Sequence, residues 1–369
     1  MQSPRSQAPW RDERDAREFL GRLADALVGV RRPGAAPLPA DLVAWLERHD
    51  LAAPVYFSGA VLDADFTARL RPAALSVAAS NRAHFEALDR IEQGLAAATI
   101  PVVLLKGAAL AHAAYGGPSR RPMSDLDLWI GRGRIAEAVS LLRDLGYREE
   151  RHADGETQLR PALRRGGLVE LHESAFRGWW IRWTASVDEA GAWQRATPCA
   201  AGRAARRLAP EDEVIQLACH LVTNHVAQAP LRGLLDLALV ARSRRPDWAE
   251  VADRAARWRL ATAVWLALDR AERLIGLPGA DAALARLRPS LARRLVLSRV
   301  AAPFSILTER SAWTRRPIVP LVCADRVRDA ARMVRHAAWP ARPWLVARYG
   351  ARGAGRLAHL RSLVGSGRV

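Results

Sequence analysis

The chain contains one lysine, Lys106, and 55 arginines make up the rest of its 56 basic residues. Cysteine is also scarce: Cys199, Cys219 and Cys323 are far apart, odd in number and in no CxxC pairing. That argues against a disulfide framework or a zinc site and fits a reducing compartment. No uninterrupted apolar stretch approaches the length of a membrane span. The opening MQSPRSQAPWRDERD is polar and charged, without the apolar centre a secretory signal needs. No P-loop occurs, and the run Gly350-Ala-Arg-Gly353-Ala-Gly355 has no apolar strand before it, so it is not a dinucleotide loop. These absences predict a cytoplasmic protein with no membrane span.

Acidic residues are in the minority, 38 against 56 basic, giving a net charge of +18. Such a charge favours polyanionic partners, which keeps nucleic acid or an anionic membrane surface among the possible ones. The excess is uneven, however. Residues 315–369 carry twelve arginines against Asp325 and Asp329, and a basic tail of this kind is ordinarily a solvated face, so nucleic acid is not the favoured partner.

An apolar fraction of 50% is ample for a buried core, and 369 residues allow two or three domains. Residues 1–15 read as a disordered polar N-terminus and 16–99 as a helical leader, with Phe19, Leu20, Leu23, Ala26 and Leu27 at helical spacing and a long amphipathic segment from Asp65 to Ala97. His49-Asp50 is a polar pair at a helix end. Residues 178–310 read as a helical domain and 311–369 as a basic helical C-terminal region.

Between residues 100 and 177 the period changes. Val102 to Leu105 follows Pro101 as a short buried strand, Ala108 to Ala114 is helix-compatible, and Leu126, Leu128 and Ile130 alternate with Asp125, Asp127 and Trp129. Residues two apart in a strand share a face, so Asp125 and Asp127 lie side by side while Leu126 and Leu128 enter the core. Adjacent carboxylates repel unless a cation lies between them, and oxygen ligands suit magnesium or manganese. Ile135 to Leu145 has helical spacing stopped by Gly146. Thr157 to Leu163 and Leu168 to Phe176 read as a hairpin around Gly166-Gly167. In its second strand Glu170 and His172 share a face; beside the aspartate strand, Glu170 becomes a third acidic ligand, with Glu173 the competing carboxylate. Lys106 ends the first strand next to Gly107, and a site that needs a compact ammonium against a phosphate or a backbone turn does not accept the larger planar guanidinium. In so arginine-rich a chain a lone lysine means little by itself; it matters because the two aspartates follow.

The ordered set Leu105-Lys106-Gly107, Tyr115, Arg121-Pro122-Met123-Ser124-Asp125-Leu126-Asp127-Leu128, Leu145-Gly146-Tyr147 and Val169-Glu170-Leu171-His172 resembles the uncharacterised bacterial nucleotidyltransferase family of the DNA polymerase beta-like superfamily. Ala209-Pro210-Glu211-Asp212, His220 and Leu231-Arg232-Gly233-Leu234-Leu235-Asp236 extend the likeness to about residue 245. The resemblance implies that Gly107 and its neighbours form the nucleotide-binding turn, that Asp125 and Asp127 bind the metals, and that Glu170 is the third carboxylate. The chain departs from the superfamily in carrying Lys106-Gly107-Ala108 where Gly-Gly or Gly-Ser is usual, and in the longer distance from Gly107 to Asp125.

The reading is an α+β protein, a small mixed β-sheet nucleotidyltransferase core flanked by N-terminal and C-terminal helical regions. Asp125, Asp127 and Glu170 are the catalytic and metal-binding residues, with Mg2+ or Mn2+ as cofactor, and Lys106, Gly107, Arg121 and Ser124 bind the nucleotide. The partners are a nucleoside triphosphate and an unidentified acceptor. Phosphoryl transfer with the same carboxylates, and a non-catalytic protein that keeps the fold and binds nucleic acid or an acidic partner through its basic C-terminal region, are the alternatives. His220 and Asn224, Arg232 and Asp236, each one turn apart, either line an acceptor pocket or make contacts along their helix; Trp179, Trp180, Trp183 and Trp193 either stack on a base or pack between domains.

Overall fold

The computed structural model describes residues 10, 12–30, 42–59, 64–131, 133–153, 156–162, 167–178, 180–199, 201, 204–224, 231–300, 318–342, 345–346 and 355–357. Trp179, Gly166, most of the polar N-terminus and much of the basic C-terminal region lie outside them, as does the side chain of Asn224.

The leader is helical: α1 (Glu13–Leu27), α2 (Leu42–Arg48), α3 (Ala52–Phe57) and α4 (Ala64–Ala97). Asp12 caps α1 by accepting from the Asp15 amide. Pro72 falls inside α4 and does not end it; proline removes one backbone donor, and the 34-residue helix holds through the residues it buries, among them Leu70, Leu88, Ile91 and Leu95. Then come β1 (Val102–Leu104), α5 (Lys106–Ala113), β2 (Asp125–Ile130), α6 (Ile135–Asp144), β3 (Tyr147–Ala153), β4 (Glu156–Pro161) and β5 (Leu168–His172). After these run α7 (Ile181–Thr184), α8 (Glu189–Arg195), β6 (Thr197–Pro198), β7 (Arg206–Arg207), α9 (Pro210–Asn224) and α10 (Leu231–Arg244). The chain continues through α11 (Trp248–Arg257), α12 (Ala261–Leu274), α13 (Asp281–Leu287), α14 (Leu291–Val300), α15 (Ile318–Cys323) and α16 (Val327–Ala338).

The strands form one mixed sheet in the order β3-β4-β5-β2-β1-β7-β6. The protein is therefore α+β, as its alternating apolar patterns predicted. β1 runs antiparallel to β2, and β2 runs parallel to β5 with Asp127 opposite Glu170. β4 and β5 form the expected hairpin. β3 was not expected, and its sequence YREERHA explains why: an edge strand has one neighbour, and here its charges find ion pairs instead of a core, Glu149 with Arg143 and Glu150 with Arg160. β6 and β7, two residues each, are too short to show a period.

Alternation divides the sheet between two cores. Leu104, Leu126, Leu128, Ile130, Leu159, Val169 and Leu171 pack against Leu88, Ile91 and Leu95 of α4 and Val139 and Leu142 of α6. The opposite face contributes Val103 and Trp129 to a larger core built with the helices from α9 onward. Asp125, Asp127, Glu170 and His172 have the parity of Trp129, so they stand on the face turned toward those helices. Cys199, Cys219 and Cys323 are buried free thiols. Among the described residues, no helix is long and apolar enough to cross a membrane.

Candidate active site

The turn from β1 into α5 is the first piece of the site. The Leu105 amide donates to the Asp127 carbonyl at 3.0 Å, so pairing with β2 carries the chain past the aspartate before it turns. Lys106 then takes φ +45°, a left-handed conformation uncommon for a side-chain-bearing residue. Glycine is needed one residue later for a different reason: a Cβ at Gly107 would come within 2.8 Å of Arg121 Nη1 and 3.0 Å of Met123 Cβ. The loop carrying Arg121 and Met123 lies against the first turn of α5, and only a bare backbone lets it.

Lys106 Nζ donates to Asp127 Oδ1 at 2.6 Å. His172 Nε2 lies 2.7 Å from the same oxygen. The second imidazole nitrogen, Nδ1, is 2.9 Å from Arg177 Nη1. A guanidinium only donates, so Nδ1 accepts and Nε2 carries the hydrogen, which it gives to Asp127. Arg177 is itself ion-paired with Glu156 of β4. Burial lowers the His172 pKa, against the opposing pull of Asp127, which suits this neutral tautomer.

Asp127 is 2% exposed. Burial alone would raise its pKa, but Lys106 and His172 outweigh that and hold it well below the ordinary carboxylate range. Its neighbours move the other way: burial, then the Asp127 charge, raises both Asp125 and Glu170, the latter to about 7. Glu170 Oε1 accepts from Gln158 Nε2 at 2.9 Å. Ligand atoms of Asp127, Glu170 and His172 lie within 4.8 Å of one another. Since both nitrogens of His172 are engaged, the donors open to a cation are oxygens: those of Asp125 and Glu170 and the second oxygen of Asp127.

Arg121 is buried, and its Nε and Nη2 meet Asp236 Oδ1 and Oδ2 at 2.9 and 2.7 Å. Tyr115 donates to Asp236 Oδ1 at 2.7 Å. Asn81 of α4 holds the loop's backbone, donating to the carbonyls of Pro118 and Arg121. Arg232 bonds Asp50 and the Pro122 carbonyl rather than Asp236 one turn on. Ser124 is exposed. Trp180 is buried and donates to Thr223, and Trp193 meets Trp129 edge-on at 4.7 Å, so both pack against protein. Trp183 stacks on His336.

All seven sequence-predicted site residues line one cavity of about 1030 Å³. Glu173, the competing carboxylate, lines it too, but its backbone carbonyl is the group engaged, accepting from Trp129 Nε1 at 3.2 Å. Sequence reasoning assigned no role to His172, Arg177, Gln158 or Met123. For His172 the signal was there, in its shared face with Glu170.

Residues 38–276 match the family described as uncharacterised nucleotidyltransferase. The chain belongs to that family. The match runs from α2 through the sheet with its carboxylates to α12. A comparison with curated proteins finds no match. Among solved structures, the antibiotic-resistance factor ANT(2'')-Ia, known from its solution structure, is similar to this nucleotidyltransferase family member at 20% identity over 45% of this chain and 86% of that one, with a TM-score of 0.34.

Proposed function

We propose that the protein is a metal-dependent nucleotidyltransferase that moves a nucleoside monophosphate group from a nucleoside triphosphate to an acceptor hydroxyl, phosphate or amine. One observation carries the reading: Asp127 and Glu170 stand opposite each other on neighbouring parallel strands, with Asp125 two residues along the same face, inside a large cavity of a chain of this family. The donor set fits a hard divalent cation such as magnesium or manganese. Oxygens of Asp127 and Glu170 are close together, and burial followed by the Asp127 charge raises Asp125 and Glu170, a penalty on their ionised forms that such a cation relieves. When bound, the cation neutralises phosphate charge and polarises the phosphoryl oxygens.

The chain's own groups supply the rest. Lys106 and the opening turn of α5 meet the triphosphate, Lys106 as a point charge and the turn through its amides. Ser124 adds a hydroxyl at the cavity wall. Arg121 shapes the floor through Asp236. Glu170 receives the acceptor's proton as the bond from the acceptor atom to the α-phosphorus forms and the bond to the β-bridging oxygen breaks, releasing pyrophosphate.

The test is stabilisation of the purified protein by each of the four ribonucleoside triphosphates, with and without magnesium or manganese, against Asp125→Asn/Asp127→Asn. Metal-dependent stabilisation that the double variant loses supports the donor site, and a labelled nucleotide then reports transfer. Silence from a folded sample with every triphosphate and metal turns the reading toward a binding protein.

A further inference from the structure

β4 carries the site one strand further. It pairs with β5 so that Glu156 stands opposite His172 and Gln158 opposite Glu170, and Glu170 in turn stands opposite Asp127 of β2. Thr157 and Leu159 are buried, Leu159 in the core shared with α4 and α6. By parity Glu156 and Gln158 leave that core and share the face of Asp127, Glu170 and His172. Glu156 lines the same cavity.

Both oxygens of the Glu156 carboxylate are engaged, each by a group that reaches a different carboxylate of the site. Oε1 accepts from Gln158 Nε2 at 2.8 Å, and that nitrogen also donates to Glu170 Oε1 at 2.9 Å. A side-chain amide nitrogen has two N–H donors, and here each finds a carboxylate oxygen. An amide free to turn would set its carbonyl oxygen against Glu170 instead. Oε2 accepts from Arg177 Nη1, which also donates to His172 Nδ1 at 2.9 Å. His172 Nε2 passes its hydrogen to Asp127 Oδ1 at 2.7 Å. A neutral imidazole alone holds a guanidinium weakly, so the charge-assisted bond from Glu156 is what keeps Arg177 in place against it.

We propose that Glu156 is a positioning residue for both flanks of the candidate metal site, aiming Glu170 through Gln158 and Asp127 through Arg177 and His172. This rests on the nucleotidyltransferase reading and adds to it a residue that acts through others. The role needs a carboxylate, which accepts at both oxygens. A glutamine there accepts at one and meets the second donor with its own N–H.

The experiment titrates the full chain with Mn2+ alone, followed by electron paramagnetic resonance. It compares wild type with Glu156→Gln, with the double variant Gln158→Leu/Arg177→Met, and with the triple variant that combines them. Glu156→Gln is expected to weaken Mn2+ binding about 10–100-fold, the usual effect of removing a group that orients metal-holding residues. The double variant breaks both paths beyond Glu156 and should lose a similar factor, and the triple variant no more than the double. Wild-type affinity in Glu156→Gln overturns the proposal, including the case where only its urea midpoint falls, which marks a purely structural role. A double variant that binds as well as wild type, or more tightly, overturns it too. Glu156 then acts at the cation itself or through its charge, since losing Arg177 removes a positive charge and by Coulomb attraction alone favours the cation. A triple variant whose loss is the product of the other two likewise shows that Glu156 does not work through Gln158 and Arg177. Should Glu156→Gln misfold by circular dichroism, the double variant decides. Failure of wild type to bind Mn2+ removes the parent reading and this one with it; binding in wild type that the variants leave intact removes this one alone.

Discussion

Arg121 and Asp236, 115 positions apart, meet through two hydrogen bonds with both side chains at least nine-tenths buried. The pair joins the loop before β2 to α10, so the helical half and the sheet half of the chain share one wall of the site. Burial by itself would lower the Arg121 pKa, but Asp236 more than offsets it, and the guanidinium stays charged.

Removing one partner strands the other's charge in the interior. Asp236→Ala is expected to cost about 3–5 kcal/mol in urea unfolding. Arg121→Ala should cost a similar amount, and the double variant much less than the sum, since the second deletion removes the stranded charge. Additive losses in the double-mutant cycle would show that the pair is not coupled.

His172 is expected to act by orienting Asp127. His172→Ala should weaken Mn2+ binding, followed by electron paramagnetic resonance, by about 10–100-fold, the usual effect of deleting a group that orients a metal-holding residue. His172→Gln, which can present an N–H to Asp127 Oδ1, should recover most of that loss. Equal loss in the two variants would mean that the imidazole itself holds the cation.

Glu170 makes stability depend on pH in the metal-free protein. Its folded pKa of about 7 lies above its ordinary 4.5, so the folded state binds more protons than the unfolded one between these values. Stability contributed by this group is therefore full below about pH 4.5 and falls as pH rises toward 7. Asp125, also raised, acts in the same sense; His172, lowered by burial, opposes both below its ordinary 6.5. The difference between wild type and Glu170→Gln isolates the Glu170 part: the variant's advantage in urea midpoint should grow from pH 4.5 to 7. A constant difference across that range would contradict the raised pKa.

Much of the site was legible because strand parity is a local property. Asp125 and Asp127 between Leu126 and Leu128, and Glu170 between Val169 and Leu171, show which side chains enter the core and which leave it, and the structure puts them on one face. What local pattern cannot carry is a partner distant in the chain. Arg232 and Asp236 read as one-turn neighbours, yet Asp236 binds Arg121 and Tyr115 while Arg232 reaches Asp50. His172 shared the right face, but its role depends on Arg177, which comes from the segment after β5 and leaves no periodic trace. β3 escaped notice because salt bridges, not burial, fill its side chains' needs, whereas the segment read as helical from Asp65 to Ala97 is one helix that packing carries past Pro72.

The ion pair between Lys106 and Asp127 has a practical consequence in a chain that holds one lysine. An acylating reagent that seeks amines has, besides the chain's terminal amino group, a single target, and it sits inside the cavity. The extent of one acyl addition, read as a mass increment, thus reports whether that cavity is filled: a ligand seated against the ammonium shields it, and one that binds elsewhere leaves the increment unchanged.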